Sequence, residues 1–143
     1  MKKIISFLFL SFCGFTYAFE NVQNIELSNK GTLELYDSLK NLGFTEQSKA
    51  TGSQIELQEI LCNTVFYTGN RLDACNLAAL DKALYLTEAE SLKLIKLFDK
   101  MELNKYFNST NKNTIHIQDL SCTSFTPPGP DERIVNCTLK LLN

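Results

Sequence analysis

The sequence predicts an α+β fold built by tandem duplication of a β-α-β-β unit. The two copies would share one antiparallel sheet with two helices on one face, and each repeat would carry one disulfide-stapled hairpin. Three observations carry this prediction: the chain aligns with itself, the two copies place cysteines at matching positions, and each copy passes from a strand pattern to a helical stripe and back to strand patterns. A shared sheet is expected because a two-stranded hairpin alone is only marginally stable.

The internal repeat is the primary signal. Residues 25–44 align with residues 84–103 at an offset of 59, residues 52–62 with 112–122 at 60, and residues 74–80 with 136–142 at 62. Cys62 then aligns with Cys122, and Cys75 aligns with Cys137. The offset grows only where turn residues cluster, which is the drift in loop length expected between two copies of one unit.

The first 18 residues, MKKIISFLFLSFCGFTYA, have the pattern of a Sec-type signal peptide. Two lysines precede an apolar run that is shorter than the roughly 20 residues of a membrane span. The segment ends in small residues that suit cleavage after Ala18. Cys13 follows the bulky Phe12, which argues against a lipoprotein site. We expect a bacterial protein of the periplasm or a secreted one.

Cleavage would leave residues 19–143, a single α+β domain of 125 residues made of two repeats, approximately 19–80 and 81–143. This mature chain has 12 basic and 16 acidic side chains, a net charge of −4, and no cluster of Lys and Arg. It is therefore a poor candidate for binding nucleic acid or anionic membrane surfaces. No later segment is long and apolar enough to predict membrane insertion of the mature chain.

Each copy begins with a brief strand, indicated by alternating apolar residues at 25 and 27 and at 84 and 86, and continues into a helix. Thr87 and Glu90 have the spacing of a capping box, and Ser28 is a plausible cap for the first helix. The predicted apolar stripes are Leu35, Tyr36, Leu39 and Leu42 in the first copy and Leu92, Ile95, Phe98 and Met101 in the second.

A polar linker follows each helix, over 45–53 and 104–113, and leads to a hairpin. In the first copy Ile55 and Leu57 alternate with polar residues, and then the apolar phase slips by one residue to Ile60 and Cys62. The second copy slips at the same place, which predicts a β-bulge in both. The predicted return strands are 72–77 and 133–141.

The four cysteines of the mature chain predict two cross-strand disulfides. The midpoint between Cys62 and Cys75 falls at residues 68–69, and that between Cys122 and Cys137 falls at 129–130, in the PPGP run. A hairpin folded about each midpoint sets its cysteines opposite each other, so we predict the pairs Cys62–Cys75 and Cys122–Cys137. The spacings match neither a zinc site nor a C-x-x-C dithiol, and we predict no metal and no cofactor.

No catalytic constellation is recognisable in the sequence, and we predict no catalytic residue. A triad would have to use His116, which is the only histidine and lies on the polar phase of a predicted strand. Carboxylates such as Glu56, Glu59 and Asp119 are scattered along the chain. They could meet in space as a hydrolase requires, although solvated surface positions are the more common reason for such residues.

The two segments between the paired cysteines are the candidate binding sites. Tyr67 and Arg71 lie in FYTGNRLD, and Phe125 and Arg133 lie in FTPPGPDERI. Tyrosine and arginine are enriched at binding hot spots, and a hairpin held by a disulfide loses little entropy on binding. The alternative is that these residues are ordinary hairpin tips without a partner.

The leading hypothesis is a small exported protein that binds a protein partner without catalysis, as an inhibitor or an interaction module. An alternative is a periplasmic or secreted hydrolase with a spatially assembled site of carboxylates and His116. A second alternative is a structural or assembly factor of the envelope. The plan of an exported, duplicated chain with one bridged hairpin per copy is similar to that of β-lactamase inhibitory protein, a likeness of architecture that no residue motif carries.

Overall fold

The computed structural model describes residues 22–28, 30–50, 52–103, 113–129 and 132–142. The predicted signal peptide, residues 1–18, lies outside these ranges, as does the predicted second linker except for Asn113. Neither helix of the described chain combines the length and the apolar character that a membrane span requires.

Seven strands and two helices make up the described chain, which confirms the predicted α+β class. In chain order they are β1 (Val22–Leu27), α1 (Lys30–Asn41), β2 (Gln47–Lys49), β3 (Gly52–Tyr67), β4 (Asn70–Ala78), β5 (Ala83–Tyr85), α2 (Glu88–Lys100), β6 (Thr114–Phe125) and β7 (Ile134–Leu142).

All strand pairs are antiparallel and belong to one sheet with the order β1-β7-β6-β3-β4-β5, to which β2 adds by pairing with the start of β3. The centre of the sheet is the pair β3–β6, in register from Ser53↔Ser124 to Asn63↔Thr114. β1 precedes α1 in the chain but pairs with β7, and β5 follows β4 and pairs with it. The pairing of β1 with β7 therefore places the two ends of the described chain side by side in the sheet.

One face of the sheet, the inner face, packs against both helices in a single apolar cluster. Alternate residues of β3, β4, β6 and β7 are buried there, as the two-residue period of a strand requires. The largest fully buried side chains include Tyr36 and Phe98 from the helices and Ile60 and Ile117 from the central strands. The helices are thus held to the sheet by burial of their apolar stripes.

The capping box that the sequence predicts for the second helix is present. Thr87 Oγ1 accepts from the Glu90 amide, and the Glu90 carboxylate accepts from the Thr87 amide. The buried stripe of α2 differs by part of a turn from the predicted one, because Leu94 and Leu97 are buried whereas Leu92 is only partly so. The sheet and α1 together cover a wider arc of α2 than a single stripe.

The first polar linker was predicted as residues 45–53, but it contains β2 and the start of β3. The short pairing Gln47↔Gln54 to Lys49↔Gly52 extends the sheet, although β2 is fully exposed and has no apolar alternation to reveal it. Gly52 lies where β3 passes close to β6: its φ is +130°, and an added Cβ would lie 2.1 Å from the Ser124 carbonyl oxygen.

The β-bulge that the sequence predicts in both hairpins is present as a register shift in the second, whereas the pairing of β3 with β4 and β6 keeps one register throughout. The register of β6 against β7 shifts between Gln118 and Ser121, and Asp119 there has φ of +50°. In β3 the side-chain phase slips at the matching level, where Gln58 and Glu59 both avoid the inner face. Because of the slip, the apolar residues before it and those after it all lie on the inner face of the sheet.

Candidate binding surface

Both predicted disulfides are present and confirm the pairing. Cys62 lies opposite Cys75 in the β3–β4 register, and Cys122 lies opposite Cys137 in the β6–β7 register. The Cα atoms of each pair are 4.1 Å apart. All four cysteines are buried on the inner face, so the bridges serve the core and the hairpins rather than an exposed redox site.

The first hairpin projects past the rest of the described sheet as a two-stranded arm, residues 64–73. The β3–β6 register ends at Asn63, with one further backbone hydrogen bond from the Thr64 amide to the Asn113 carbonyl. Beyond it β3 pairs with β4 as far as Tyr67↔Asn70. Thr68 and Gly69 close the turn with positive φ values of 46° and 82°, as in a two-residue hairpin turn of type I′.

The arm exposes four large apolar or aromatic side chains. Their exposed fractions are 52% for Val65, 65% for Phe66, 67% for Tyr67 and 48% for Leu72. Val65 and Leu72 are cross-strand partners. Large contiguous exposed apolar patches are uncommon on monomeric proteins, which makes the arm a candidate interaction surface.

Arg71 is exposed but already engaged within the arm. Its Nε donates to both carboxylate oxygens of Asp73 at 3.1 Å, and Thr64 Oγ1 donates to Asp73 Oδ1 at 2.7 Å. The Asp73 carboxylate is almost fully buried, and these three hydrogen bonds offset its loss of hydration. The predicted binding residue Arg71 thus also stabilises the arm.

The second hairpin carries a matching apolar pair. Phe125 and Ile134 are cross-strand partners with exposed fractions of 44% and 49%. Counted from the cysteine on each strand, this pair occupies the position that Val65 and Leu72 occupy in the first hairpin. In both hairpins the pair lies on the face opposite the buried disulfide.

Arg133 packs against α1 instead of projecting from the hairpin. Its Nη2 donates to Asp37 Oδ1 at 2.6 Å, and its guanidinium lies 5.6 Å from the centroid of the Tyr36 ring. Thr32 Oγ1 donates to the Val135 carbonyl nearby. These contacts fasten the second hairpin to α1, so the surface that Arg133 presents is smaller than the sequence suggests.

The face of the sheet away from the helices, here called the outer face, connects the two hairpins. It is mostly polar, and its residues are half-buried or exposed except Gln54, which is buried. Across it run rows of side chains in register, such as His116–Leu61–Asn76–Tyr85. Its residues on the central strands and their neighbours are Gln54, Glu56, Leu61, Asn63, Asn76, His116, Gln118, Ser121, Thr123, Asn136, Thr138 and Lys140.

The structure does not bring the two aromatic tips together. β3 and β6 are antiparallel, so the first hairpin extends from one end of the central strand pair and the second from the other. The ten residue steps between Ser53 and Asn63 span about 33 Å at the usual rise per residue. Tyr67 and Phe125 nevertheless both lie on the outer face, at its opposite ends.

Sequence reasoning missed Val65, Leu72 and Ile134 as candidate surface residues. The signal was available, because the cysteine alignment places Val65 over Phe125 at the offset of 60, and Leu72 over Ile134 at 62. Apolar residues in a strand are usually assigned to a core. For Val65 and Leu72, the end of the β3–β6 pairing at Asn63 shows that no strand flanks them on that side.

The scattered carboxylates and His116 meet only in part. His116 Nε2 lies 3.2 Å from Glu59 Oε2 on the outer face. A cavity of about 690 Å³ beside the sheet irregularity is lined by Glu56, Asp81 and Asp119, without His116. The described residues contain no group of three or more His, Cys, Asp and Glu side chains placed to hold a metal ion.

Among the described residues, Tyr36 is a titratable group whose pKa is clearly shifted by its surroundings. Burial raises its pKa to about 12, the Glu46 carboxylate adds to the rise, and the Ser53 hydroxyl and the Arg133 guanidinium oppose it. The phenol lies under the second hairpin and stays neutral over the whole physiological range. It is part of the support of that hairpin rather than a reactive group.

No protein-family model matches this chain, no curated protein matches its sequence, and no solved structure matches its fold.

Proposed function

We propose that this protein is exported and acts without catalysis, by binding a protein partner through the outer face of its sheet and the hairpins at the two ends of that face. The observation that carries the proposal is the pair of matched apolar contacts, Val65–Leu72 and Phe125–Ile134, each about half exposed. Buried in an interface, these residues and Tyr67 would supply the apolar anchors that dominate binding energy.

The rigidity of the two hairpins supports a binding role. Each disulfide lies three residue pairs from the exposed apolar pair of its hairpin. A hairpin that is already ordered loses little conformational entropy on binding, so more of the contact energy appears as affinity. Tyr67, Phe125, Arg71 and Arg133 remain the proposed partner-binding residues, the last two also holding their hairpins in place.

The proposal includes a tandem duplication, with repeats of approximately 19–80 and 81–143. The register of the central strands supports it, because exchanging the copies converts the pair Ile55↔Cys122 into Cys62↔Ile115 and the pair Leu57↔Leu120 into Ile60↔Ile117. The strand order supports it as well. Exchanging β1 with β5, β3 with β6 and β4 with β7 turns the order β1-β7-β6-β3-β4-β5 into its own reverse. A duplicated fold would present two related hairpins at opposite ends of one face.

Export to the periplasm or beyond is proposed on two grounds. Residues 1–18 have the n-region, h-region and cleavage pattern of a signal peptide. The two disulfides are typical of proteins that fold in an oxidising compartment. Mass spectrometry of the periplasmic fraction would test both, since cleavage after Ala18 predicts a mature chain that begins at Phe19 with both disulfides formed.

Affinity capture with matched baits tests the binding proposal. The mature protein is immobilised beside a variant with Val65→Thr, Leu72→Thr, Phe125→Ser and Ile134→Thr, and both are exposed to periplasmic and host extracts. We expect a partner on the unmodified bait that the variant does not retain, because its anchors are gone. The partner is then purified and its affinity for both baits is measured.

The control bait carries Leu80→Ser, which changes an exposed apolar residue in the β4–β5 turn, away from the tips of both hairpins. It should retain the partner, and urea unfolding should show that all three baits are folded. Equal capture by the unmodified bait and by the variant changed at Val65, Leu72, Phe125 and Ile134 would contradict the proposal.

A hydrolase is the second candidate, favoured by the contact of His116 with Glu59 and by the cavity that Glu56 and Asp119 line. It predicts activity on a panel of ester, glycoside and peptide substrates that Glu59→Gln abolishes. An envelope structural or assembly factor is the third candidate. It predicts that the captured partner is itself an envelope component and that loss of the protein alters envelope integrity.

A further inference from the structure

The arm of the first hairpin exposes apolar side chains on both of its faces. Val65, Tyr67 and Leu72 belong to the outer face, whereas Phe66 has the strand phase of the inner face, on which Cys62 is buried. Phe66 is nevertheless 65% exposed, so the described helices do not cover the inner side of the arm at this residue, although Asp73, nearer the base, is almost fully buried. Removing all of this apolar surface from water requires contacts on two sides.

The arm also has the dimensions of an inserting element. From Asn63, where the pairing with β6 ends, to Tyr67 the four residue steps span about 13 Å. The arm is two strands wide, and its tip consists of the small residues Thr68 and Gly69. The second hairpin differs, because Ser124 and Val135 on its inner face are buried and Phe125 and Ile134 leave only one apolar side.

The charges of the arm indicate the polarity of what surrounds it. Its two charged residues, Arg71 and Asp73, neutralise each other through a 3.1 Å ion pair. The remaining side chains are apolar, aromatic or uncharged. A complementary surface would therefore be apolar where it meets Phe66, Tyr67 and Leu72, with a polar group only beside Arg71, whose side chain is 45% exposed and would otherwise lose hydration without a partner.

We propose that the arm inserts into an apolar cleft of the protein partner, whose walls contact Phe66 on one side and Tyr67 with Leu72 on the other. This inference rests on the proposed function and adds the shape and polarity of the partner site. The outer face then contacts the rim of the cleft, and the second hairpin provides a flat secondary contact. The Cys62–Cys75 disulfide ties the two strands of the arm to each other near its base.

A lipid surface is the competing occupant, because a bilayer also surrounds an inserted tip. Stable attachment to anionic lipid needs basic residues near the surface. The cation of the arm, Arg71, is held by Asp73, and the mature chain has a net charge of −4. The observations therefore favour a protein cleft.

Site-specific photo-crosslinking of the full mature chain tests the insertion. The photoreactive residue p-benzoylphenylalanine replaces Phe66, Tyr67 or, as a control, Leu80, which is 88% exposed in the β4–β5 turn. Each protein is irradiated in the extract from which the unmodified bait captures its partner. We expect the Phe66 and Tyr67 probes to label the same partner at two different peptides, and the Leu80 probe not to label it.

Affinity measurements with the purified partner complete the test. We expect Phe66→Ser and Tyr67→Ser each to weaken binding by about tenfold, as loss of a buried aromatic anchor does, and Leu80→Ser to leave it unchanged. Labelling from Tyr67 alone, with unchanged affinity of Phe66→Ser, would overturn the insertion and leave the proposed function intact. If the unmodified bait captures no partner at all, the proposed function itself fails.

A separate fluorescence experiment tests the lipid alternative. The chain contains no tryptophan, so Phe66→Trp introduces a single fluorescent reporter at the arm. We expect a blue shift with the purified partner and none with vesicles of phosphatidylcholine and phosphatidylglycerol. A blue shift with the vesicles alone would overturn the proposal, because it would place the arm in lipid.

Discussion

Arg133 Nη2 donates a 2.6 Å hydrogen bond to Asp37 Oδ1 and thereby ties the second hairpin to α1. The two residues are 96 positions apart in the chain, and their contact lies beside the buried ring of Tyr36. A residue that the sequence marks for partner binding therefore has a role in holding its own hairpin. The two roles can be separated by measurement.

A double-mutant cycle with Arg133→Gln and Asp37→Asn should reveal a coupling of about 0.5–1 kcal/mol in the free energy of unfolding. The value is modest because both side chains are partly exposed and water screens the pair. Urea unfolding of the four proteins provides the measurement. The more exposed pair Lys140–Asp119 serves as the control and should couple less. Strictly additive effects at Arg133 and Asp37 would mean that the pair does not hold the hairpin.

Removal of either disulfide should lower the free energy of unfolding by about 3 kcal/mol, because each bridge closes a loop of similar length and restricts the unfolded chain. The two variants are Cys62→Ala with Cys75→Ala, and Cys122→Ala with Cys137→Ala. The paired cysteines are separated by 13 residues in the first bridge and by 15 in the second. Urea unfolding followed by circular dichroism measures both losses. A loss below 1 kcal/mol for either variant would contradict the stabilising role given to that bridge.

Gly52→Ala should be far more destabilising than Gly69→Ala, although both glycines have positive φ. At Gly52 the new methyl group would lie 2.1 Å from the Ser124 carbonyl oxygen, whereas at Gly69 no heavy atom lies within 4 Å. We expect losses of about 3 kcal/mol for Gly52→Ala, from clash and backbone strain together, and about 1 kcal/mol for Gly69→Ala, from strain alone. Thermal and urea unfolding compare them, and equal losses would contradict the close approach of β3 and β6 at Gly52.

Tyr36 should make stability fall between pH 10 and about pH 12. Its pKa is raised to about 12 in the folded protein, against about 10 in an unfolded chain. Its contribution is therefore complete below pH 10 and is lost as the pH rises through the folded pKa, because only the unfolded chain releases the proton there. Tyr36→Phe should flatten the decline in unfolding free energy over this interval.

The matched control for that experiment is Tyr85→Phe, at a tyrosine that is 78% exposed. It should leave the alkaline decline as steep as in the unmodified protein. The same slope in all three proteins would show that Tyr36 does not carry the effect.

The fold was largely predictable because its signals are local in the sequence. Thr87 and Glu90 form their capping box within four residues, and the slip in apolar phase near Asp119 appears in the sequence as a slip in alternation. The disulfides followed from one geometric requirement, that cysteines equidistant from a turn face each other. The strand β2 was not predictable, because Gln47–Lys49 pairs through its backbone and buries no side chain.

The candidate site was less predictable because exposure depends on where neighbouring strands end. Val65 has the pattern of a core residue, yet it is half exposed because β6 does not reach it. Arg133 has the pattern of a hot spot, yet Asp37 from a distant helix engages it. Neither outcome is encoded within a window of a few residues.

The sequence by itself determined the element types, the cysteine partners and the two hairpins, because helix period, strand alternation and turn chemistry act over short distances. Tertiary structure decided which residues form a surface. The antiparallel pairing of β3 with β6 sends the two hairpins to opposite ends of the sheet. It also leaves Phe66 and Tyr67, on opposite sides of the arm, about two-thirds exposed and uncovered by the other described elements. An apolar side chain is buried only where a second strand or helix packs against it. Only the assembled sheet shows where the described chain has no such neighbour.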